Sequence, residues 1–196
     1  MGDIEKLRKQ MDFIIEIDKM KNIYRQTLVL NEDRAENDAE HSWHLAMMVM
    51  LLSEYANEPI DVLHTIKMVL IHDIVEVDAG DTYCYDKEGY KDKAEREEKA
   101  AQRLFGMLPE EQRNELYRLW REFEEFKTPE SKFANAVDRC QPMTLNYKKG
   151  GISWKKHGIK SSQVYERNKN IGQGSELIWQ YMQEVLKDAE DKGMFE

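Results

Sequence analysis

Residues 71–77 read Ile-His-Asp-Ile-Val-Glu-Val (IHDIVEV), which places a histidine, an aspartate and a glutamate inside an otherwise apolar segment. Burying such groups without partners costs several kcal/mol each, so something should compensate them. On a helix, His72 and Glu76 lie four residues apart and share one face, and Asp73 lies about 100° around from His72. A metal ion held between these side chains is the first hypothesis.

Two further residues extend this candidate ligand set. His41 stands at the head of a strongly apolar run, and Asp138 interrupts the apolar series of NAVDRC. Two imidazoles and two carboxylates suit borderline divalent ions such as Mn, Fe, Co, Ni or Zn, and they leave positions for water. Hydrogen-bonded core histidines without a metal would explain the same spacing, and His44 competes with His41 as a ligand.

The rest of the chain has the pattern of an all-α helical bundle. Strand signals are nearly absent, whereas apolar residues recur at helical spacing along most of the sequence. The patterns and cap signals predict helices over residues 4–22, from near Asp38 as N-cap, from after Pro59 to Gly80, over about 93–106, from Pro109 to Phe126, and from the N-cap Thr128 onward. Residues 79–93 and 148–158 are predicted loops, and Gly172 to Gly174 separates the last two helices.

Length and composition predict a cytoplasmic, single-domain protein. The chain has 196 residues, 41% hydrophobic and 34% charged, and its longest apolar run is only Leu45–Leu52, so no membrane span is expected. The N-terminus MGDIEKLRKQMDF lacks a secretory pattern. Cys84 and Cys140 are too few for a disulfide framework and are interpreted as reduced thiols.

The charge distribution excludes one class of partner and leaves another open. A net charge of −9 argues against a protein that coats nucleic acid, because such binding neutralises many phosphates. Residues 132–162 are locally basic, however, with seven lysines and arginines, including Arg139, against the single acid Asp138. This segment is either a binding field for a small anion or a solvated basic face.

Three stretches together resemble a known family: ENDAEHSWHLA (36–46), KMVLIHDIVEVDAGDT (67–82) and FANAVDRCQP (133–142). They are similar to the HD-domain phosphohydrolase superfamily, whose pattern is H…HD…D on an all-helical scaffold. The similarity is greatest to its 5'-deoxynucleotidase-like branch and extends over about residues 4–190. By this resemblance the ligands of one divalent metal ion (Mn, Co, Zn, Fe, Ni or Mg) are His41, His72, Asp73 and Asp138.

The resemblance also implies roles for residues around the metal. Glu76 matches the residue that orients or deprotonates the attacking water. Asp81 and Thr82, in the GDT motif, match the loop that holds the nucleotide, and Asp81 is a candidate for contacting the sugar or assisting proton transfer. Arg25 resembles the arginine that grips the phosphate, although Gln26 follows it where the branch has an aromatic residue, and Arg34 is the rival for this role.

The expected activity is that of a metal-dependent 5'-nucleotidase, which converts (deoxy)ribonucleoside 5'-monophosphates to nucleoside and phosphate. The alternatives are another HD phosphohydrolase, acting on a dNTP, a cyclic nucleotide or guanosine tetraphosphate, and a non-catalytic nucleotide-binding HD protein. A single HD domain is expected over residues 1–196, with its core at about 38–146 and C-terminal helices at about 160–192 packed on it. The resemblance further suggests a homodimer, with neither a nucleic acid polymer nor a membrane as partner.

Overall fold

The computed structural model describes residues 2–86 and 88–196, and helices dominate this part of the chain. The helices are α1 (Asp3–Ile17), α2 (Asp38–Leu52), α3 (Val62–Ile71), α4 (Glu76–Ala79), α5 (Lys93–Gly106), α6 (Glu110–Glu125), α7 (Pro129–Lys148), α8 (Ile152–Lys156), α9 (Ser161–Asn168), α10 (Ile171–Gly174) and α11 (Glu176–Asp191). Two short strands, β1 (Tyr24–Leu28) and β2 (Ala35–Asn37), form an antiparallel pair. The predicted all-α class is confirmed.

Helix α7 is the centre of the bundle. It begins at the predicted N-cap, where the Thr128 hydroxyl accepts a hydrogen bond from the Ser131 amide at 3.1 Å. Its side chains Phe133 and Val137 are fully buried, and α7 packs against α2, α3, α6, α10 and α11. Pro142 lies inside the helix and has no N–H, so the helical bond to the carbonyl of Asp138 is missing.

The C-terminal helices pack closely on α7. A Cβ atom added to Gly174 would lie 2.2 Å from the Lys132 carbonyl oxygen, so only glycine allows this approach of α10 to α7. The next residue, Ser175, caps α11 by accepting a hydrogen bond from the Ile178 amide at 3.1 Å, and it donates to the Tyr55 carbonyl at 2.6 Å. The stretch from Gly172 to Gly174, predicted to separate the last two helices, lies in the short helix α10 between α9 and α11, and Ser175 connects it to the core.

The predicted N-cap of α2 is wrong for a local reason, although the helix begins at Asp38 as expected. Asn37, and not Asp38, is the N-cap of α2: its side chain accepts from the Glu40 amide at 2.9 Å while Glu40 reaches back to the Asn37 amide. Asp38 is thereby released from capping and is fully buried. Helix α3 begins after Pro59, as predicted, and Asp61 is its N-cap.

Three predicted segments also end or fold differently. The helix expected to continue to Gly80 ends at Ile71. Tight turns over 72–75 then lead into α4, and the Glu76 amide donates to the Asp73 carbonyl at 2.9 Å in these turns. The helix expected over 4–22 ends at Ile17 and is followed by a 3-10 turn. The loop expected at 148–158 contains α8, which begins directly after Gly150 and Gly151, two glycines with positive φ angles.

Helix α1 leaves most of its apolar stripe in solvent. Phe13 is its buried residue, whereas five large apolar side chains are 47–66% exposed: Ile4, Leu7, Met11, Ile14 and Ile15. Within the described residues, none of the helices combines the length and hydropathy needed to cross a membrane.

Candidate metal centre

Four side chains from three parts of the fold converge at the predicted site. His41 comes from α2, His72 and Asp73 from the turn after α3, and Asp138 from α7. The His41 Nε2 atom lies 3.0 Å from Asp138 Oδ1 and 3.8 Å from Asp73 Oδ2, and His72 Nε2 lies 3.1 Å from Asp73 Oδ1. The two histidines and Asp73 are buried, so their polar atoms face one another away from solvent.

The orientation of His72 indicates what this cluster can bind. Its Nδ1 atom donates a hydrogen bond to the Val69 carbonyl at 2.8 Å, which leaves the lone pair on Nε2 directed at the cluster. That Nε2 atom is buried and makes no hydrogen bond. A buried nitrogen lone pair beside carboxylates is the arrangement expected of a metal ligand, so the residues fit a divalent ion.

The orientation of His41 is set by two residues that the sequence interpretation missed. Its Nδ1 atom lies 3.3 Å from Gln141 Oε1 and 3.5 Å from Glu36 Oε2. The Gln141 amide nitrogen donates to Glu36 Oε1 at 2.5 Å, which leaves the Gln141 amide oxygen to accept from His41. The Nε2 lone pair of His41 is thereby directed at the cluster. Gln141 follows Asp138 by three residues, the only sequence signal that it shares this side of α7.

A second group of acids adjoins the cluster. Carboxylate oxygens of Asp38, Asp73 and Glu76 lie within 4.8 Å of one another, and one oxygen each of Asp38 and Glu76 is buried without a hydrogen-bond partner. Burial, followed by the charge of Asp73, raises the pKa of Asp38 to about 7 and raises the pKa of Glu76 well above its usual value. Three carboxyl groups this close together are stable only if some are protonated or if cations lie nearby. The sequence had predicted only a capping role for Asp38, so its place in this group of acids was missed.

Arg25 supplies part of that positive charge. It lies on β1, and its Nη1 atom donates to Asp73 Oδ2 at 2.7 Å and to Asp38 Oδ1 at 3.3 Å. Burial alone would lower the pKa of Arg25, but the carboxylates around it, Asp73 first, raise it well above its usual value. Arg34, the rival for phosphate binding, forms surface ion pairs with Glu40 and Glu32 outside the cavity.

The cluster opens into a cavity of about 410 Å³, a size typical of small-ligand pockets. Asp81 and Thr82 line it, as the GDT resemblance implies. Burial raises the pKa of the Asp81 carboxyl, and the Thr82 hydroxyl accepts a hydrogen bond from Arg96 at 3.2 Å. Arg96 also donates to the carbonyls of Gly89 and Ala79, so it ties this loop to α5.

The remaining histidines do not join the cluster in the part of the chain that the structure describes. His44 makes a 3.2 Å contact with the Gln141 amide, on the side of Gln141 away from the metal ligands. His64 pairs with Glu122 at 2.8 Å, and the ring of His157 packs against Tyr83. His44 is therefore excluded by position as the rival of His41.

Comparisons with known proteins agree with this geometry. The sequence profile of the HD domain family matches residues 17–179. Human 5'-deoxynucleotidase HDDC2 is 30% identical over 135 residues, and its bovine counterpart is 29% identical. These matches cover 68% of this chain but only 65% and 64% of the human and bovine proteins, just under two thirds of their length.

Two solved structures extend the comparison to nearly the whole chain. The crystal structure of a predicted metal-dependent phosphohydrolase from Magnetospirillum magnetotacticum MS-1 has 46% sequence identity and a TM-score of 0.93, over 97% of this chain and 95% of that one. The PH0347 protein from Pyrococcus horikoshii OT3 has 21% identity and a TM-score of 0.65, over 93% of this chain and 99% of that one. The second likeness concerns the fold alone.

Proposed function

This chain belongs to the HD domain family, and on that premise we propose that it is a metal-dependent 5'-nucleotidase, which hydrolyses (deoxy)ribonucleoside 5'-monophosphates to nucleoside and phosphate. The observation that carries the proposal is the convergence of two histidine Nε2 atoms and two aspartates beside Glu76 in an open cavity. The names of the HDDC2 relatives and of the Magnetospirillum protein support the same reaction class.

His41, His72, Asp73 and Asp138 would hold one divalent ion, drawn from Mn, Co, Zn, Fe, Ni and Mg. Such an ion, when bound, lowers the pKa of a coordinated water and polarises a phosphoryl oxygen. The unpartnered Nε2 of His72 and the 3.0 Å approach of His41 to Asp138 support this ligand set. Hydrogen bonds from the Nδ1 atoms to Val69 and Gln141 would orient both rings so that their Nε2 atoms face the bound ion.

Glu76 is proposed to position the attacking water and to accept its proton. Its carboxyl group is buried next to Asp73, and one of its oxygens has no hydrogen-bond partner and is free to accept from a water molecule. Its raised pKa makes the carboxylate a stronger base than an exposed glutamate. Asp81, across the cavity, would contact the sugar or assist proton transfer, and Thr82 and Arg25 would contact the nucleotide.

The experiment that tests this function is phosphate release from a panel of deoxyribo- and ribonucleoside 5'-monophosphates. The protein is stripped of metal and then supplied with Mn, Co, Zn, Fe, Ni or Mg. We expect metal-dependent release that favours the deoxy series, is lost in Asp73→Asn and is retained in Asp191→Asn, a matched change at an exposed residue. Absence of release from every monophosphate would refute the nucleotidase and direct the next panel to triphosphates, cyclic nucleotides and alarmones.

We further propose that residues 1–196 form one domain that pairs with a second copy in the cytoplasm. The exposed apolar face of α1 supports the pairing, since such a face is normally covered. The free thiols Cys84 and Cys140 support a reducing compartment. Light scattering should give twice the chain mass for the wild type and the chain mass for a Leu7→Glu, Met11→Glu variant; a monomeric wild type would contradict the dimer.

A further inference from the structure

Two arginines on one wall of the cavity have no acidic partner. Arg139 lies on α7 and Arg167 on α9, and both line the cavity. Arg139 Nη1 donates to the main-chain carbonyl of Arg167 at 2.8 Å, which holds the two side chains near each other. Among residues 2–86 and 88–196, neither guanidinium forms an ion pair with a carboxylate; Arg167 Nη2 has only the Tyr90 hydroxyl at 3.4 Å.

The other cationic side chains of the cavity are already engaged. Arg25 donates to Asp73 and Asp38, and Lys93 pairs with Glu97 at 2.9 Å. Their charges therefore balance acids of the protein itself. The two arginines supply positive charge that the described part of the chain does not neutralise.

This arrangement is unfavourable without a ligand. The Nε atom of Arg139 is buried and has no hydrogen-bond partner, which costs free energy because the donor has lost water and gained nothing. The hydrogen bond from Arg139 to the Arg167 carbonyl also holds two like charges on the same side of the cavity, where they repel each other. An anion in contact with both guanidinium groups would remove both penalties.

The position and chemistry of the pair select the kind of anion. Arg139 directly follows Asp138 in the candidate metal cluster, so an anion held by the pair would lie beside that cluster. Of the seven basic residues in segment 132–162, Arg139 is the one that lines the cavity within the described residues. The planar guanidinium fork matches the oxygen spacing of phosphate and binds it in a bidentate manner.

We propose that Arg139 and Arg167 form a binding site for the phosphate group of the substrate, on the cavity wall next to Asp138. The pair supplies free positive charge, whereas Arg25 shares its charge with Asp73 and Asp38. The identity of the substrate rests on the proposed function, but the capacity to bind phosphate does not.

The site is tested by isothermal titration calorimetry, in which inorganic phosphate is titrated into the metal-loaded protein and its affinity is measured. Arg167→Met is the main variant, because the main-chain carbonyl that accepts from Arg139 remains and the hydrogen bond between α7 and α9 is preserved. Arg8→Met is the matched control, since Arg8 is exposed on α1 and the variant loses the same charge. We expect phosphate affinity to fall by about 10-fold or more in Arg167→Met and to stay within about twofold of wild type in Arg8→Met.

A second variant separates geometry from charge. Arg139→Lys keeps the charge but loses the fork, so its phosphate affinity should fall between those of wild type and Arg167→Met. Thermal unfolding of each variant identifies any that fail to fold. Phosphate affinity of a folded Arg167→Met equal to that of wild type would overturn the proposal.

The nucleotide assay distinguishes failure of this site from failure of the proposed function. If the wild type hydrolyses nucleoside monophosphates, Arg167→Met should raise KM for them, and an unchanged KM would count against the site. If the wild type hydrolyses none of them but Arg167→Met still weakens phosphate binding, the nucleotidase is refuted and the phosphate site remains.

Discussion

Replacing Gln141 by leucine tests whether the metal centre depends on a hydrogen bond behind His41. Gln141 is 1% exposed, accepts from His41 Nδ1 at 3.3 Å and donates to Glu36 Oε1 at 2.5 Å. Leucine has a similar volume and makes neither bond. The variant therefore leaves the Oε1 acceptor of Glu36 without a partner and leaves the His41 donor only the 3.5 Å contact with Glu36 Oε2, at positions that are 3% and 0% exposed.

The size of both effects follows from these contacts. An orphaned buried group costs about 1–3 kcal/mol, so the free energy of unfolding of the metal-free protein should fall by at least that amount. Loss of the group that orients a metal-bound histidine typically weakens metal affinity by about 10–100-fold, which is about 1.4–2.7 kcal/mol. The lower stability does not account for this loss of metal affinity, because metal binding is measured under conditions in which the variant is folded.

Metal affinity is measured by competition with a chromophoric chelator, and stability by urea unfolding in EDTA. Gln102→Leu is the control: Gln102 is exposed on α5 and makes a single bond to Glu98 at 2.8 Å, far from the site. We expect its metal affinity to be unchanged and its stability to fall by at most about 0.5 kcal/mol. A folded Gln141→Leu protein whose metal affinity is within twofold of wild type would refute the positioning role.

Three further changes test the proposed chemistry and the packing. Glu76→Gln should retain its metal, measured by elemental analysis, and lower turnover by about 100-fold or more, because the amide cannot accept a proton; unchanged turnover would remove Glu76 from the mechanism. Gly174→Ala should destabilise the protein by about 2 kcal/mol or more in urea unfolding, because its Cβ would lie 2.2 Å from the Lys132 carbonyl oxygen. Gly106→Ala is the control and should be neutral or stabilising, because the space around Gly106 is open. Thr128→Ala should cost about 1 kcal/mol through loss of the α7 cap, and Thr128→Ser should recover most of it.

Local signals account for the parts of the fold that were predictable. The cap Thr128, the first-turn Pro129 and the spacing of apolar residues each act over a few positions, so the helical class and several helix bounds can be read directly from the sequence. The prediction was wrong where two local signals competed. Asn37 and Asp38 are both good caps, and the capping box with Glu40 decided in favour of Asn37.

The candidate site divides in the same way. At the level of the sequence, residue types made His41, His72, Asp73 and Asp138 candidates, and the resemblance to the HD-domain pattern selected them as the ligand set, because metal-ligating chemistry is carried by the side chains themselves. The contacts that surround them join residues far apart in the chain: Arg25 with Asp73, Gln141 with His41, and Arg139 with Arg167.

Only the tertiary structure decided those partnerships. Adjacent helix positions point about 100° apart, so a shift of one residue in a cap or a helix end changes which side chain enters the cavity. The release of Asp38 from capping and its burial beside Glu76 is the clearest case. The sequence thus determined the helical class and the chemistry available to this protein, and long-range packing determined which charges meet, because those distances depend on how α2, α7 and α9 pack together.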